Sequence, residues 1–543
     1  MVATVDKIFE SQAASPTTGT GAVRLWLLLN LELLIIAALR LPHDLGFNAF
    51  AFGDRGSWLT LHYLVTHGGR PALDFGYQYG LLPIWLSEIW FGLFGATPHA
   101  YQAAMVVCGL LITWPIARIL QICRRRFVCT ALAMTALPFA VQSSYPSMAH
   151  AVEAVLLCNA LAEQAAGRRN IALALATAAC LVKPSMGYVY SFVLLVFIAL
   201  DLHRRGLLGT GRAERCELCR MLAPAAITGI SLILVLAAIY GPISLAMTLL
   251  PITGVKNYAA MNYGFFHGMG SYFWYGIPVL YYFGSVIGFW FAASLWLIAA
   301  AMIALWGLLR GGDETTGRWN EFVLSAALLH VAFVTVFFGG SSSWSYYSYI
   351  PVIGAIAACT ADRTRCAIVG TALTVLAASG QTSFRVADLI SWRDLTPAAD
   401  TAGLWASADE RSAWTAALDS LGGRKAALIS GEGAAPLLFP QFEQYDFLCV
   451  VPGDISAEQF DHAMREFSQA PMIVAVVDPL FGDALDFWPP LRNLLARREL
   501  VLRSRFFAAY RKRGGEAQAR PAGSNRVDAP FAARLRLSAH QHL

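Results

Sequence analysis

FGDRGSWLTLHYLVTHGGRPALDFGYQYG, residues 52–80, places Asp54, Arg55, Arg70 and Asp74 between two stretches, near 24–41 and 80–95, that read as membrane. Charge is expensive inside a bilayer, so a segment this polar between apolar neighbours reads as a loop outside the hydrocarbon. Within it Trp58, Leu61, Leu64 and Val65 recur at helical spacing, which predicts an amphipathic helix able to lie along the interface, with Asp54 at its start.

Working outward, 57% of the 543 residues are hydrophobic and 14% are charged, against roughly 25% charged in a soluble domain. This balance predicts an integral membrane protein. A net charge of +5 is small for the length and gives no reason to expect nucleic acid as a partner. Aromatic residues at 12% suit interfacial belts. Hydropathy places spans near 24–41, 80–95, 100–122, 127–145, 147–165, 170–182, 185–201, 221–240, 279–308, 319–339, 345–361 and 366–380. The expected fold is therefore a polytopic α-helical membrane protein. It should have about 10–13 transmembrane helices, interfacial helices in the first external loop and a small C-terminal soluble α/β domain.

Residues 1–23 are polar, lack an apolar signal core and read as a disordered tail, so the first span is expected to anchor itself. The membrane domain is expected over 24–385, with its first external loop at 42–79 and a second long non-span region at 250–278. Lys and Arg in short loops, at Arg124 to Arg126, Arg168 and Arg169, Arg204 and Arg205, Arg310, and Arg363 with Arg365, mark candidate cytoplasmic ends. Strict alternation conflicts with this, because 100–122 would then end outside. Either one segment fails to cross, or Arg124 to Arg126 serve an anionic ligand on the outer face.

From about residue 386 to 512 the character changes. Apolar runs AALIS (426–430), FLCVV (447–451) and MIVAVV (472–477) alternate with the polar helical stretch SAEQFDHAMREFSQ (456–469). This is the βα pattern of a small soluble domain and favours parallel strand pairing. GEG at 431–433 reads as a turn rather than a nucleotide loop. The segment from 513 to the end, rich in Arg, Ala, Gly and Pro, reads as disordered. Cys216 and Cys219 lack a second ligand pair for zinc, and Asp313-Glu314 reads as a solvated turn.

The order of features in the opening stretch is informative. Asp54-Arg55-Gly56, a helix, Gly68-Gly69-Arg70-Pro71, Asp74-Phe75, Tyr77-x-Tyr79-Gly80-Leu-Leu-Pro83 and an apolar helix ending Phe91-Gly-Leu-Phe94-Gly95 form a series. It resembles the first external loop and second span of the GT-C superfamily, the multi-span glycosyltransferases that use polyprenyl-phosphate sugars. That superfamily includes the protein O-mannosyltransferases and the lipid A aminoarabinose transferases. Leu181-Val-Lys183-Pro184 and the aromatic run from Trp344 to Pro351 are further echoes. The departure is Asp54-Arg55, where the family usually has Asp-Glu.

The resemblance implies one-step transfer with inversion, from a polyprenyl-phosphate sugar to a lipid, glycan or protein acceptor at the external face of the inner membrane, within the cell envelope. The lipid-linked sugar is itself the donor substrate, and no cofactor is implied. Asp54 has no paired acid nearby, so no metal is expected. Such chemistry needs a carboxylate to accept the acceptor's hydroxyl proton, typically worth 10²–10⁴-fold, and Asp54 is the candidate. It also needs cations for the departing phosphate, and Arg55, Arg70, Lys183 and Lys256 are the candidates.

Each residue has a plainer alternative. Asp54 could serve only as a helix-start charge, Arg70 could close its turn, and Asp74 could hold the loop rather than assist at the site. Lys183 could snorkel from a helix end. Residues 250–278, with Lys256, Tyr258 and His267, could be a mobile lid or an aromatic belt. Two other functions stay open: a transporter or lipid flippase, and a non-catalytic envelope-glycan assembly protein. Membrane lipids, the lipid-linked donor and an unidentified acceptor are the expected partners.

Overall fold

The structure, a computed structural model, describes residues 18–77, 79–122, 147–207, 211–250, 302, 304–309, 320–329, 392–430, 433–444, 457–477 and 489–513. The expected spans at 127–145, 345–361 and 366–380, nearly all of 279–308, the strand FLCVV, and Lys256, Tyr258 and His267 lie outside the described residues. So do residues 1–17 and the tail from 514.

The chain is a polytopic α-helical membrane protein with a small C-terminal α/β region. Helix α1 (Thr18–Asp44) is followed by α2 (Phe47–Ala51), α3 (Asp54–Thr66), α4 (Leu82–Phe94), α5 (Pro98–Ile122) and α6 (Met148–Ala165). Then come α7 (Arg169–Cys180), α8 (Pro184–Arg204), α9 (Arg212–Tyr240), α10 (Pro242–Leu249) and α11 (Asn320–Leu329). Among the described residues, four segments are long and apolar enough to cross a membrane: Gly21–Asp44, Pro98–Ile119, Met186–Arg204 and Arg215–Tyr240. Helix α4, with 13 residues, reaches about 20 Å, short of the ~30 Å hydrocarbon core.

The chain divides into two compact units. The first comprises Met1–Leu39, Ala103–Val235 and Phe266–Leu389. Its helices are joined by buried polar contacts of the kind that hold membrane bundles together. Thr113 Oγ1 donates to Asn30 Oδ1, Tyr190 Oη donates to Gln164 Oε1 at 2.7 Å, and Gln164 Nε2 donates to Ser325 Oγ at 2.8 Å. Helices α7 and α8 turn back on each other so tightly that a Cβ on Gly187 would lie 2.3 Å from the backbone nitrogen of Cys180.

Arginines gather at one end of this unit. Arg118 and Arg168 both pair with Glu163, and Arg169 forms a bidentate fork on Glu321 at 2.8–3.0 Å. Asp201 lies 3.4 Å from Arg169 and 2.9 Å from Arg205. The C-terminal ends of α5, α6 and α8 thus meet the start of α7. Helix α4 is shorter than the hydrocarbon core and α5 reaches this end through Arg118, while Arg124 to Arg126 lie outside the described residues.

The second unit comprises Arg40–Gln102, Leu236–Phe265 and Ile390–Leu543. Its C-terminal part contains a short β1–β2 pair (Thr396–Pro397, Trp405–Ala406) and α12 (Ala408–Asp419). A four-stranded sheet is built from β3 (Ala426–Ile429), β4 (Met472–Val476), β5 (Glu499–Arg503) and β6 (Phe507–Arg511). Helices α13 (Ala435–Leu438), α14 (Ala457–Gln469) and α15 (Pro489–Ala496) complete it. Strand order is β3-β4-β6-β5. The expected parallel pairing holds for β3 with β4, but β6 runs antiparallel to both β4 and β5, so the sheet is mixed. The short connection between β5 and β6 permits only a hairpin, which sets that pair antiparallel. Phe467, Ile473, Leu491 and Ile429 pack α14 and α15 onto one face.

Candidate functional site

The first loop does not stand alone. Trp414, on α12, is fully buried, with Phe47 and Phe52 of the loop at ring-centroid distances of 5.3 and 5.5 Å. Phe439, Phe442 and Phe507 of the C-terminal part lie at 4.8, 5.6 and 5.2 Å from the same ring. Backbone bonds join the same segments. The amide of Trp405 donates to the Leu45 carbonyl at 3.0 Å, and that of Ala434 donates to the Phe50 carbonyl at 3.2 Å. Thr60 Oγ1 donates to the Gly433 carbonyl at 2.8 Å. A shared core of this kind requires the loop and the C-terminal sheet to lie on one side of the membrane.

Two glycines permit this approach. A Cβ at Gly56 would fall 1.8 Å from the Phe50 carbonyl oxygen, and one at Gly433 would fall 2.2 Å from that of Ala51. Gly433 also has φ +137°, a conformation side chains rarely adopt. Of GEG only Gly433 is described, and it packs against the Ala51 carbonyl.

Asp54 begins α3, following Gly53 in extended conformation. Its backbone is described and its side chain is not. Of the apolar positions read from the sequence, Trp58, Leu61 and Leu64 are each at most 3% exposed, and Val65 is half-buried. Arg55 turns away from α3 toward the end of α1. Its Nη1 donates to the Asp44 carbonyl, and its Nη2 donates to Asp44 Oδ1 at 3.1 Å. Gln102 Nε2 donates to Asp44 Oδ2 at 3.1 Å, and Arg40 Nη2 lies 3.3 Å from Oδ1.

Arg70 and Asp74 are brought together. The Arg70 amide and Nε donate to Asp74 Oδ2 at 2.8 and 2.9 Å, and Nη2 donates to Oδ1 at 3.0 Å. The Asp74 amide closes the turn on the Arg70 carbonyl. The bonded carboxylate raises the Arg70 pKa further above its ordinary value, first through the hydrogen bond and then through its charge. The Arg70 side chain nonetheless stays 55% exposed, with its outer face open to a ligand.

Lys183 caps the start of α8 in the turn after α7, at the far end of α7 from Arg169. It is 7% exposed. Burial pushes its ammonium down to about 8, against the opposing pull of Glu153. Glu153 and His150, both on α6, are buried, and their side chains approach to 3.7 Å. The charge of Lys183 also acts on His150. The sequence reading missed both partners, although His150 and Glu153 are ionisable residues in an apolar helix and therefore carry a signal.

A second omission is His62, whose Nδ1 lies 2.9 Å from both carboxylate oxygens of Glu88, tying α3 to α4, with Phe91 edge-on at 5.3 Å. Tyr77 donates from Oη to the Gly80 carbonyl at 3.1 Å, and burial raises its phenol well above the ordinary value. Lys256, Tyr258 and His267 lie outside the described residues, so only Arg55, Arg70, Asp74 and Lys183 among the sequence candidates have described side chains.

No protein-family model matches the chain, and no curated protein matches it either. Among solved structures, it is similar to ArnT from Cupriavidus metallidurans bound to undecaprenyl phosphate. The two are 15% identical over 91% of this chain and 98% of that one, with TM-score 0.42. ArnT from Cupriavidus metallidurans in the apo state gives 11% identity over 88% and 97%, with TM-score 0.34. At these scores neither likeness assigns an activity.

Proposed function

We propose that the chain is an inverting, metal-independent glycosyltransferase of GT-C type. It moves a sugar from a polyprenyl-phosphate donor to a lipid, glycan or protein acceptor at the external face of the inner membrane. The observation that carries the reading is the first loop. The ordered series from Asp54 to Gly95 folds into a helix beginning at Asp54, a closed Arg70–Asp74 turn and a short apolar helix, with Thr60 bonded to Gly433 of the C-terminal part.

In this reading Asp54 takes the proton of the acceptor hydroxyl as its oxygen attacks the anomeric carbon. The bond from that carbon to the phosphate oxygen breaks, and the electron pair leaves with the lipid phosphate. Cations at the site offset the charge that develops there. Lys183, buried and protonated below about 8, suits that role, and so does the exposed edge of Arg70. Asp74 holds Arg70. Lys256, Tyr258 and His267, which lie outside the described residues, are proposed as further substrate or phosphate ligands. In this reading the loop and the C-terminal sheet face the external side, as the resemblance implies.

The buried Lys183, Glu153 and His150 favour a second reading, a transporter or flippase with ionisable groups along a path. Purified protein incubated with polyprenyl-phosphate sugars and envelope extract separates the two. Glycosidic product from the wild type and not from Asp54→Asn supports transfer. Movement of labelled lipid between leaflets without product supports transport.

A further inference from the structure

The residue after Asp54 is the place where the sequence departs from the family it resembles, and the structure shows where its charge goes. Arg55 reaches the C-terminal end of α1. There one fork of its guanidinium bridges the Asp44 main-chain carbonyl and the Asp44 carboxylate. A helix C-terminus is already a negative pole with unpaired carbonyls, and a carboxylate beside it deepens that pole. The Asp44 side chain is 4% exposed and that of Arg55 is 16% exposed. The second carboxylate oxygen is taken by Gln102, and Arg40 approaches the first. For Arg55 to bind a substrate phosphate, it would have to leave a buried carboxylate it already satisfies.

We propose that Arg55 is a positioning residue and not a phosphate ligand. Locked to Asp44, it fixes the first turn of α3, and with it Asp54, against the end of α1. The claim about Asp54 rests on the glycosyltransferase reading, whereas the claim about Arg55 and phosphate does not. The planar fork explains why arginine stands here, since a lysine could hold the carboxylate but could not bridge it to the carbonyl in the same plane. Arg55 is one residue from Asp54, so a small loosening of this anchor is transmitted directly to the proposed base. A misplacement of about 1 Å can cost about 10²-fold in turnover.

The test measures affinity for undecaprenyl phosphate in detergent micelles, thermal unfolding, and sugar transfer, for wild type, Arg55→Gln, Arg55→Lys, Asp44→Asn and the Asp44→Asn/Arg55→Gln pair. Lys183→Gln is the control for a phosphate ligand. Arg55→Gln is expected to bind the lipid phosphate within about twofold of wild type while kcat falls on the order of 10²-fold at unchanged donor KM. Arg55→Lys should recover part of kcat. The unfolding shifts of the pair should be strongly non-additive, with the double variant no worse than the poorer single one. A tenfold or greater loss of lipid-phosphate affinity in Arg55→Gln that Asp44→Asn does not share would overturn the proposal, and so would additive unfolding shifts. If the wild type transfers no sugar, the glycosyltransferase reading falls. The affinity and unfolding cycle would still decide whether Arg55 serves Asp44 or a phosphate.

Discussion

The first loop contains two arginine–aspartate pairs of similar chemistry and opposite setting. Arg70 and Asp74, four residues apart, close a turn in which the arginine keeps 55% of its side-chain surface and the carboxylate only 6%. Arg55 and Asp44, eleven residues apart, are joined at the end of α1 with 16% and 4% of theirs. An exposed pair is screened by water and worth about 0–1 kcal/mol, whereas breaking a buried pair by removing one partner costs about 3–5 kcal/mol. The exposed Arg70 guanidinium can meet a ligand while it still holds Asp74. The buried one cannot, so charge alone is a poor guide to which arginine meets a phosphate.

The contrast can be broken experimentally. Asp44→Ala is expected to lower stability by about 3–5 kcal/mol, because it leaves Arg40 and Arg55 against a helix end without their carboxylate. Tryptophan-monitored unfolding in detergent would show it. Gly56→Ala should cost about 1–3 kcal/mol, since the added methyl meets a main-chain oxygen rather than a flexible side chain. The same unfolding assay applies, and proteolysis should cut the loop and the C-terminal sheet together.

Next in size is the pH response of Lys183. Its ammonium is the form that attracts phosphate, present below about 8 and lost as pH rises through that value. Undecaprenyl-phosphate affinity should therefore decline up to about tenfold per pH unit above 8. Lys183→Arg, which keeps its charge, should flatten the profile. Asp74→Asn is expected to cost less stability than Asp44→Ala, because the half-exposed Arg70 stays solvated when its partner loses its charge. A loss near that of Asp44→Ala would erase the distinction between the two pairs.

Hydropathy made the long helices legible because lipid imposes a length and a composition on each crossing. Helix α3 was legible from Trp58, Leu61 and Leu64, and strands β3 and β4 from their apolar runs. What stayed hidden depends on distance in space. Asp44 falls in the expected loop just past the first span, and its partners Arg55 and Gln102 lie 11 and 58 residues away. The joining of the loop to Trp414 and Gly433 spans more than 350 residues, and no local pattern announces it. The hairpin β5–β6 was missed because ELVLRSRFFAAYR has charges on both sides of its turn and no Asn-Gly or Asp-Gly signal. His62 and Glu88 each looked incidental until α3 and α4 brought them to 2.9 Å.

The most direct measurement is sugar transfer by purified wild type and Asp54→Asn from polyprenyl-phosphate sugars to envelope acceptors, with folding of both proteins checked by their unfolding midpoints. Glycosidic product is expected from the wild type, reduced by roughly 10²–10⁴-fold in the variant. A folded Asp54→Asn protein that transfers sugar at the wild-type rate would contradict the assignment of Asp54 as the base. A wild type that forms no glycosidic product would contradict the glycosyltransferase reading itself.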